Sequence, residues 1–266
     1  MTQINSGDAE IFYQVLGEGQ PVVLLHPFPV HHGFWLPVAQ ALEGRYRLIL
    51  PDLRGHGASG IGDGPATMEK HAADIAAVLD DAGVGRAAFV GVSIGGYILF
   101  EFLRRHPNRI EALVLCNTKA QADTPEARAV RLQAAEDILE RGTGPFFQSM
   151  LPKLMGKSTH AARPDLVQAA LRMMRTMSAE DVALVQRGMA ARPDSIATLP
   201  FIRIPALVLA GEEDGLTGIG EAEVMQKNIA GSVLKIIARA GHYSPWEQPA
   251  EVGKLLRQFL DGVHGG

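Results

Sequence analysis

A serine flanked by glycines is the strongest chemical signal in this sequence. The segment GVSIGG occupies residues 91–96, directly after the apolar run AAFV and at the start of a helical pattern. Gly-x-Ser-x-Gly between a strand and a helix is typical of a sharp turn that holds the serine hydroxyl at a helix N-terminus. We expect a strained backbone at Ser93, and glycine at positions 91 and 95 because a larger residue would collide with neighbouring backbone. Ser93 is therefore the candidate nucleophile.

A serine hydroxyl is a weak nucleophile unless a base takes its proton, and nine histidines compete for that role. His242 has the most favourable placement, because it follows the strand-like run VLKIIAR through a short turn and precedes the last helix. His56, in DLRGHGASG, lies on another loop at the same edge and stays an alternative. His71 and His106 fall in helical patterns, which favours a packing or surface role for both.

The base needs an acidic partner that accepts a hydrogen bond from the imidazole and stabilises its cation. The run PALVLAG is followed by Glu-Glu-Asp, again at the end of a strand, and Asp214 lies furthest along that loop. Glu213 is the local alternative to Asp214, and Asp52 and Asp123 are remote ones. The order serine, acid, histidine along the chain is one of the known orders of such triads. We predict the triad Ser93, Asp214 and His242.

Acyl transfer also requires hydrogen-bond donors for the charged oxygen of the tetrahedral intermediate. The backbone N–H of Ile94, the residue after the nucleophile, is the first predicted donor. The second is expected from the loop HPFP that follows PVVLL. Pro27 and Pro29 have no N–H, so Phe28 between them is the predicted donor, and the two prolines restrict its backbone.

Composition excludes several other classes of protein. The 266 residues carry a formal net charge of −4 and no concentrated basic run, which argues against a nucleic-acid partner. Cys116 is the only cysteine, so it forms no intrachain disulfide or cysteine zinc site, and its apolar surroundings predict a small buried hydrophobe. No signal-peptide pattern and no apolar run of about 20 residues is found. We expect a cytoplasmic monomer or homodimer that binds a small molecule and does not bind a membrane.

Three further histidines, His26, His31 and His32, cluster near the start of the chain. Histidine is a common metal ligand, but no carboxylate or cysteine stands close to these three in the sequence. We therefore predict that the protein has no metal site and uses no cofactor.

Short apolar runs alternate with helical patterns and predict a mostly parallel sheet. The runs are nearly continuous in Val, Ile and Leu, as parallel strands covered on both faces require. The segment EIFYQVLG alternates instead, which is typical of an antiparallel strand at one edge. Helical patterns at 67–82, 94–106 and 249–260 lie between or after the runs, so we predict an open, doubly wound α/β sheet. The six runs are PVVLLH, YRLILPD, AAFVGVS, EALVLCN, PALVLAG and VLKIIAR.

The region 119–199 breaks this alternation. It contains no convincing strand, and amphipathic helical patterns cover 126–141, 165–177 and 179–191. An all-helical insertion between two strands predicts a cap over one end of the sheet. Six of the nine methionines fall in it, where they either pack the cap onto the core or form a flexible apolar wall for an acyl group.

Taken together, HPFP, PDLRGHGASG, GVSIGG, the Asp214 loop and GHYSPWEQP resemble the α/β-hydrolase superfamily over nearly the whole chain. The sequence is most similar to its small bacterial carboxylesterases, enol-lactonases and cofactor-free haloperoxidases or perhydrolases. The resemblance implies an α/β-hydrolase fold with an eight-stranded, mostly parallel sheet flanked by helices, and a helical cap after the sixth strand. It divides the chain into a core, 1–118 and 200–266, and a cap, 119–199. It also implies a metal-free site that hydrolyses carboxylic esters or lactones through an acyl-enzyme.

Two departures from the family pattern stand near the site, neither of which is expected to touch a triad side chain. His26-Pro27 replaces the usual His-Gly, and Thr217-Gly218 replaces Thr-Pro. Pro29 is similar to a proline that perhydrolases carry beside the oxyanion residue, which suggests peracid formation as a side activity. Cleavage of carbon–carbon bonds by the same triad is an alternative, and a ligand receptor on this fold is an alternative of another class. Haloalkane dehalogenases and typical epoxide hydrolases are disfavoured because they place an aspartate where Ser93 stands.

Overall fold

The protein is described here by a computed structural model that covers residues 1–265 and contains one eight-stranded sheet. The strand order is β1-β2-β4-β3-β5-β6-β7-β8. Only the β1–β2 and β2–β4 pairs are antiparallel, and every other neighbouring pair is parallel. The predicted mostly parallel sheet is confirmed. The strands are β1 (Thr2–Ser6), β2 (Ala9–Leu16), β3 (Gln20–Leu25), β4 (Tyr46–Pro51), β5 (Ala87–Val92), β6 (Ile110–Cys116), β7 (Ala206–Gly211) and β8 (Val233–Ile237).

Helices flank the sheet and also fill the long connection between β6 and β7. Around the sheet, α2 packs on α3, and α1 packs on α10 and α11. No helix within residues 1–265 is both long enough and apolar enough to cross a membrane. The helices are α1 (Leu36–Ala39), α2 (Met68–Asp81), α3 (Ile94–Arg105), α4 (Pro125–Arg141), α5 (Thr143–Leu154), α6 (Lys157–Ala162), α7 (Pro164–Met174), α8 (Ala179–Ala190), α9 (Ile219–Asn228), α10 (Ser244–Glu247) and α11 (Pro249–His264).

All six apolar runs form strands, and β5 is buried along its whole length, as its continuous apolar character requires. The alternating segment forms β2, which is antiparallel as predicted, but it is not the edge of the sheet. The edge strand next to β2 is β1, which the sequence analysis missed. Its residues TQINS are mostly exposed and polar, so no hydrophobic pattern indicates it.

The helical patterns near the site also form where they were predicted. Thr67 begins α2 by accepting a hydrogen bond from the Lys70 backbone N–H, as an N-cap residue does. The last helix continues to His264, four residues beyond the predicted end and through Gly262.

Five helices, α4 to α8, lie between β6 and β7, and no strand interrupts them in the described chain. Three of the five match the predicted helices, whereas α5 and α6 were missed. The methionines of this region occupy two environments. Met150 and Met189 line a cavity, whereas four others are buried in the packed interior: Met155, Met173, Met174 and Met177.

Three completely buried histidines, His26, His56 and His71, lie in the core. Burial is the largest effect on each imidazole, because it disfavours the cation. It lowers the pKa of His56 to about 4 and lowers the pKa of His26 and His71 well below the ordinary value. Neither ring nitrogen of His71 has a hydrogen-bond partner within residues 1–265. The native protein therefore holds all three as neutral rings.

These histidines predict a loss of stability in mild acid. Below pH 6.5 the unfolded chain binds protons that the native state excludes, so the free energy of unfolding falls as the pH falls through this range. We expect His71→Leu to reduce the loss between about pH 7.5 and about pH 5 by up to about 2 kcal/mol. Urea unfolding of both proteins at the two pH values measures it. An unchanged difference between the pH values would show that His71 is not held neutral.

Candidate active site

Ser93 lies at the turn between β5 and α3 with a φ of 53° and a ψ of −113°. A positive φ is uncommon for a residue with a β-carbon, and such strain is found where the surrounding structure enforces it. The Ser93 N–H donates to the carbonyl of Cys116 at 3.1 Å, and the Thr118 hydroxyl donates to the Ser93 carbonyl at 2.7 Å. The neighbouring strand end therefore holds the backbone of the proposed nucleophile on both sides.

The glycines around Ser93 are required by close backbone contacts. A β-carbon at Gly91 would stand 2.6 Å from the carbonyl carbon of Gly95, and one at Gly95 would stand 2.8 Å from the carbonyl oxygen of Leu25. Both distances are far inside van der Waals contact, as the sequence analysis predicted. Gly96 is restricted as well, which the sequence did not predict: a β-carbon there would overlap the Thr118 side chain.

His242 and Asp214 meet at the carboxyl ends of β8 and β7. The Nδ1 atom of His242 lies 2.9 Å from Oδ2 of Asp214, and both residues are buried. An ionised carboxylate only accepts hydrogen bonds, so Nδ1 of His242 carries a proton and donates a hydrogen bond to Asp214. This leaves Nε2 of the neutral ring as the free acceptor. His242 lines the same cavity as Ser93.

Asp214 is also held by neighbours on two loops. Its Oδ1 atom accepts hydrogen bonds from the N–H groups of Leu216 and Thr217, at 2.8 and 3.1 Å. Its Oδ2 atom accepts hydrogen bonds from Nδ2 of Asn117 and Oγ1 of Thr217, each at 2.8 Å. Burial alone would raise the pKa of this carboxyl, but the His242 charge and these hydrogen bonds hold the pKa well below its usual value. Asp214 is therefore ionised at neutral pH.

Two residues in this network were not singled out by sequence reasoning. Asn117, with a φ of 44°, follows β6 directly and donates to both Asp214 and the carbonyl of Gly241, the residue before His242. A polar residue immediately after a buried strand was the signal that could have found it. Thr217 contacts both acid and base, because its Oγ1 atom also lies 3.2 Å from the Nδ1 atom of His242. The departure from the family pattern, Gly218, is the N-cap residue that precedes α9.

The alternative acids and base lie in other environments. Glu213 accepts two hydrogen bonds from Ser158, through its N–H at 2.9 Å and its hydroxyl at 2.6 Å. Asp52 bonds His32, and Asp123 bonds Arg131 and Arg192. His56 is fully buried, and its Nδ1 atom bonds a backbone carbonyl at 3.0 Å. Within residues 1–265, Asp214 is the carboxylate that bonds His242.

The two predicted oxyanion donors follow different strands, Phe28 after β3 and Ile94 after β5. Ile94 is the first residue of α3, so its N–H has no acceptor inside the helix. In the described chain the Phe28 N–H donates to no protein acceptor either. The Phe28 carbonyl accepts a hydrogen bond from the Tyr243 hydroxyl at 3.0 Å, which ties this loop to the residue after the proposed base. The Phe28–Pro29 peptide bond is cis.

The histidine cluster has no carboxylate near it in the sequence, but it has one in the fold. A carboxylate does accompany it, because the fold brings Asp52 to His31 and His32, with one ligand atom of each within 4.8 Å of the others. Hydrogen bonds already use these atoms. Asp52 accepts from the N–H and Nδ1 of His32, each at 2.7 Å, and His31 Nδ1 accepts from the Gly33 N–H at 3.1 Å. His26 is held in the same way, since its Nε2 accepts from a backbone N–H at 2.9 Å. These contacts favour a network that supports the loops.

Cys116 lies behind the site rather than in it. It is fully buried, and burial raises the pKa of its thiol to about 12. The thiolate form that would react is thus disfavoured, which fits the expected packing role.

A cavity of about 320 Å³ opens beside Ser93 and His242. Its apolar lining comes from the cap and from the oxyanion loop: Phe28, Phe146, Met150, Leu154 and Met189. Its polar lining includes Lys119, Asp123 and Arg131 at the beginning of the cap. A mostly apolar cavity with a few polar groups beside a serine and a histidine is typical of a small-molecule site.

The chain is similar to several known proteins. The chain is 36% identical to an esterase from Thermogutta terrifontis, solved with malate bound, with a TM-score of 0.96 over 99% of this chain and 98% of that one. It is 27% identical to the enol-lactonase from Burkholderia xenovorans LB400, with a TM-score of 0.91 over 97% and 99% of the two chains. It is also 26% identical to 3-oxoadipate enol-lactonase 1 of Acinetobacter baylyi, over 91% of this chain and 89% of that one.

The family model for the alpha/beta hydrolase fold matches residues 20–249, which is most of the chain. The match includes β3 to β8 and every proposed site residue. This protein belongs to the alpha/beta hydrolase family.

Proposed function

We propose that the protein is a serine hydrolase that cleaves small, largely apolar carboxylic esters or lactones through an acyl-enzyme. The observation that carries the proposal is the buried His242–Asp214 pair, whose histidine lines one cavity together with the strained Ser93. The esterase and the enol-lactonases to which the chain is similar support the same class of substrate.

In the proposed reaction, Nε2 of His242 takes the Ser93 hydroxyl proton as Oγ attacks the substrate carbonyl carbon. The imidazolium that forms is stabilised by the ionised Asp214, which Asn117 and Thr217 hold in place. His242 then returns the proton to the leaving alkoxide, and an alcohol departs from the acyl-enzyme. Water repeats the sequence, releases the acid and restores Ser93.

The negative charge of each tetrahedral intermediate needs donors that stand in place before the reaction. We assign this role to the Ile94 and Phe28 N–H groups, which have no acceptor of their own within residues 1–265. Removal of one such donor typically costs about 2.7–4 kcal/mol of transition-state stabilisation.

The cap, which we place at 119–199, limits the size of the substrate in this proposal. It supplies Phe146, Met150 and Met189 to a cavity of only about 320 Å³. This volume lies near the lower end of the range for small-molecule sites, so we expect a preference for short acyl groups.

The proposal is tested by labelling and by a substrate panel. We expect a fluorophosphonate probe to modify Ser93 in a 1:1 ratio and to stop turnover, with the labelled residue identified by peptide mass spectrometry. We expect p-nitrophenyl esters with short acyl chains to react faster than those with long chains, and simple lactones and an enol-lactone should also be opened. A label on another residue, with activity retained, would refute the assignment of the nucleophile.

The same assays, with a vinylogous diketone added to the substrate panel, distinguish the proposed esterase from the alternative functions. A single stoichiometric acylation without turnover would indicate a ligand receptor rather than an enzyme. Faster cleavage of a vinylogous diketone than of any ester would indicate a carbon–carbon bond hydrolase. Addition of hydrogen peroxide to the ester assay measures peracid formation directly.

A further inference from the structure

Positive charge is in excess on one part of the cavity lining. Lys119 and Arg131 line the cavity, and Arg192 lies next to them, with its guanidinium 4.2 Å above the ring of the cavity residue Tyr97. The acidic group among them is Asp123, which is buried. Three cations therefore surround one carboxylate, which leaves an excess of two positive charges.

Asp123 is already fully engaged by the two arginines. Its Oδ2 atom bonds Nε of Arg131 at 2.6 Å, and its Oδ1 atom bonds an Nη atom of Arg192 at 2.8 Å. Burial would raise the pKa of Asp123, but the arginines lower the pKa below its usual value, so the carboxylate stays charged. Arg131 also donates to the Gln186 amide oxygen at 3.1 Å, which fixes its orientation.

Lys119 is left without a close partner. Its Nζ atom lies 3.9 Å from the Asp123 oxygen that Arg192 already occupies, and it donates no hydrogen bond within residues 1–265. Only 21% of its side chain is exposed. A partly buried ammonium group without a hydrogen-bonding acceptor retains three donors for a ligand.

The position of Lys119 brings this charge close to the proposed nucleophile. The preceding residue, Thr118, donates its hydroxyl to the Ser93 carbonyl at 2.7 Å. Lys119 follows Thr118 directly, and its side chain lines the same cavity as Ser93. The cavity volume of about 320 Å³ places an acyl chain bonded to Ser93 Oγ in the same small space as the Lys119 side chain.

We infer that Lys119, with Arg131 beside it, forms a subsite for a carboxylate, and that the preferred substrates are monoesters of short dicarboxylic acids. The ionised carboxylate of the acyl part bonds the Lys119 ammonium, while the apolar wall holds the methylene groups. This inference rests on the proposed function for its kinetic part, but the anion site itself is independent of turnover.

The kinetic test compares monoethyl succinate, glutarate and adipate with neutral ethyl esters of the same acyl length, in a pH-stat at about pH 7.5. We expect the wild-type protein to have the higher kcat/KM on at least one of the anionic esters. We expect Lys119→Gln to lower that anionic-to-neutral ratio by about 10- to 100-fold, the range for a charged hydrogen bond. Lys153→Gln, an equal charge change on an exposed residue of α5, is the matched control and should leave the ratio unchanged.

A binding test keeps the inference separate from catalysis. Monomethyl and dimethyl glutarate are titrated calorimetrically into Ser93→Ala and into Ser93→Ala/Lys119→Gln. Tighter binding of the monoester that disappears with Lys119 supports the subsite, even if the wild-type protein proves to cleave no ester. Equal binding of both esters, or a preference that survives Lys119→Gln, overturns it, even if Ser93-dependent ester hydrolysis is found.

Discussion

Ser93→Ala is expected to lower kcat/KM on short p-nitrophenyl esters by at least about 10³-fold. The substitution removes the hydroxyl and keeps the β-carbon, so the backbone at a φ of 53° carries the same strain in both proteins. The oxyanion donors and the cavity are unchanged, and only the covalent step is lost. Initial rates over a series of substrate concentrations, with active protein quantified by fluorophosphonate titration of the wild type, measure the effect.

Two controls show that the loss is chemical. The circular dichroism spectrum and Tm of Ser93→Ala should match the wild type, because no hydrogen bond of the Ser93 side chain supports the turn in the described structure. Ser149→Ala, at an exposed serine of α5, should retain full activity. If Ser93→Ala still turned over esters at more than a tenth of the wild-type rate, the acyl-enzyme mechanism would be wrong.

Asp214→Asn is expected to have the second largest effect, a loss of about 10³- to 10⁴-fold in kcat. The Asp214 carboxylate accepts the Nδ1–H of His242 at 2.9 Å and keeps the proton away from Nε2, which must be free to act as the base. An amide has no negative charge to stabilise the imidazolium, and its NH₂ group can stabilise the wrong tautomer. Single-turnover acylation measures the loss without interference from deacylation.

Glu213→Gln is the matched comparison for Asp214→Asn, since it is an adjacent carboxyl-to-amide change. Glu213 bonds Ser158 and not His242, so we expect kcat to change by less than about threefold while Tm falls slightly. A large loss of kcat in Glu213→Gln together with a small one in Asp214→Asn would reverse the assignment of the acid.

Much of the fold could be predicted from the sequence because buried parallel strands require continuous apolar runs. The six such runs all became strands, and the one alternating run became an antiparallel strand. The strand β1 was missed because its exposed residues carry no hydrophobic signal. Two helices of the cap were missed for other reasons: α6 has only six residues, and α5 contains an internal proline, Pro152, which is not typical of a helix.

The candidate site divides in the same way. Ser93, Asp214 and His242 each follow a strand, and the carboxyl ends of parallel strands meet at one edge, so their approach could be predicted from chain position alone. Chain position did not show which of Glu213 and Asp214 turns towards His242. Nor did it show that Asn117 holds the acid, because these two residues are 97 positions apart in the sequence.

The sequence by itself thus determined which residues are proposed for the chemistry: a serine at a sharp turn, a base, an acid and two backbone donors, each identified from its local pattern. The tertiary structure decided which charges are paired. Asp52 lies beside His31 and His32, although it is distant from them in the sequence. Asp123 bonds two arginines, which leaves Lys119 beside the cavity without a close partner. The physical reason is how far apart in the sequence the interacting residues lie. Strand and helix patterns are set by neighbours in the chain, whereas charge pairing depends on side chains that only packing brings within a few ångströms.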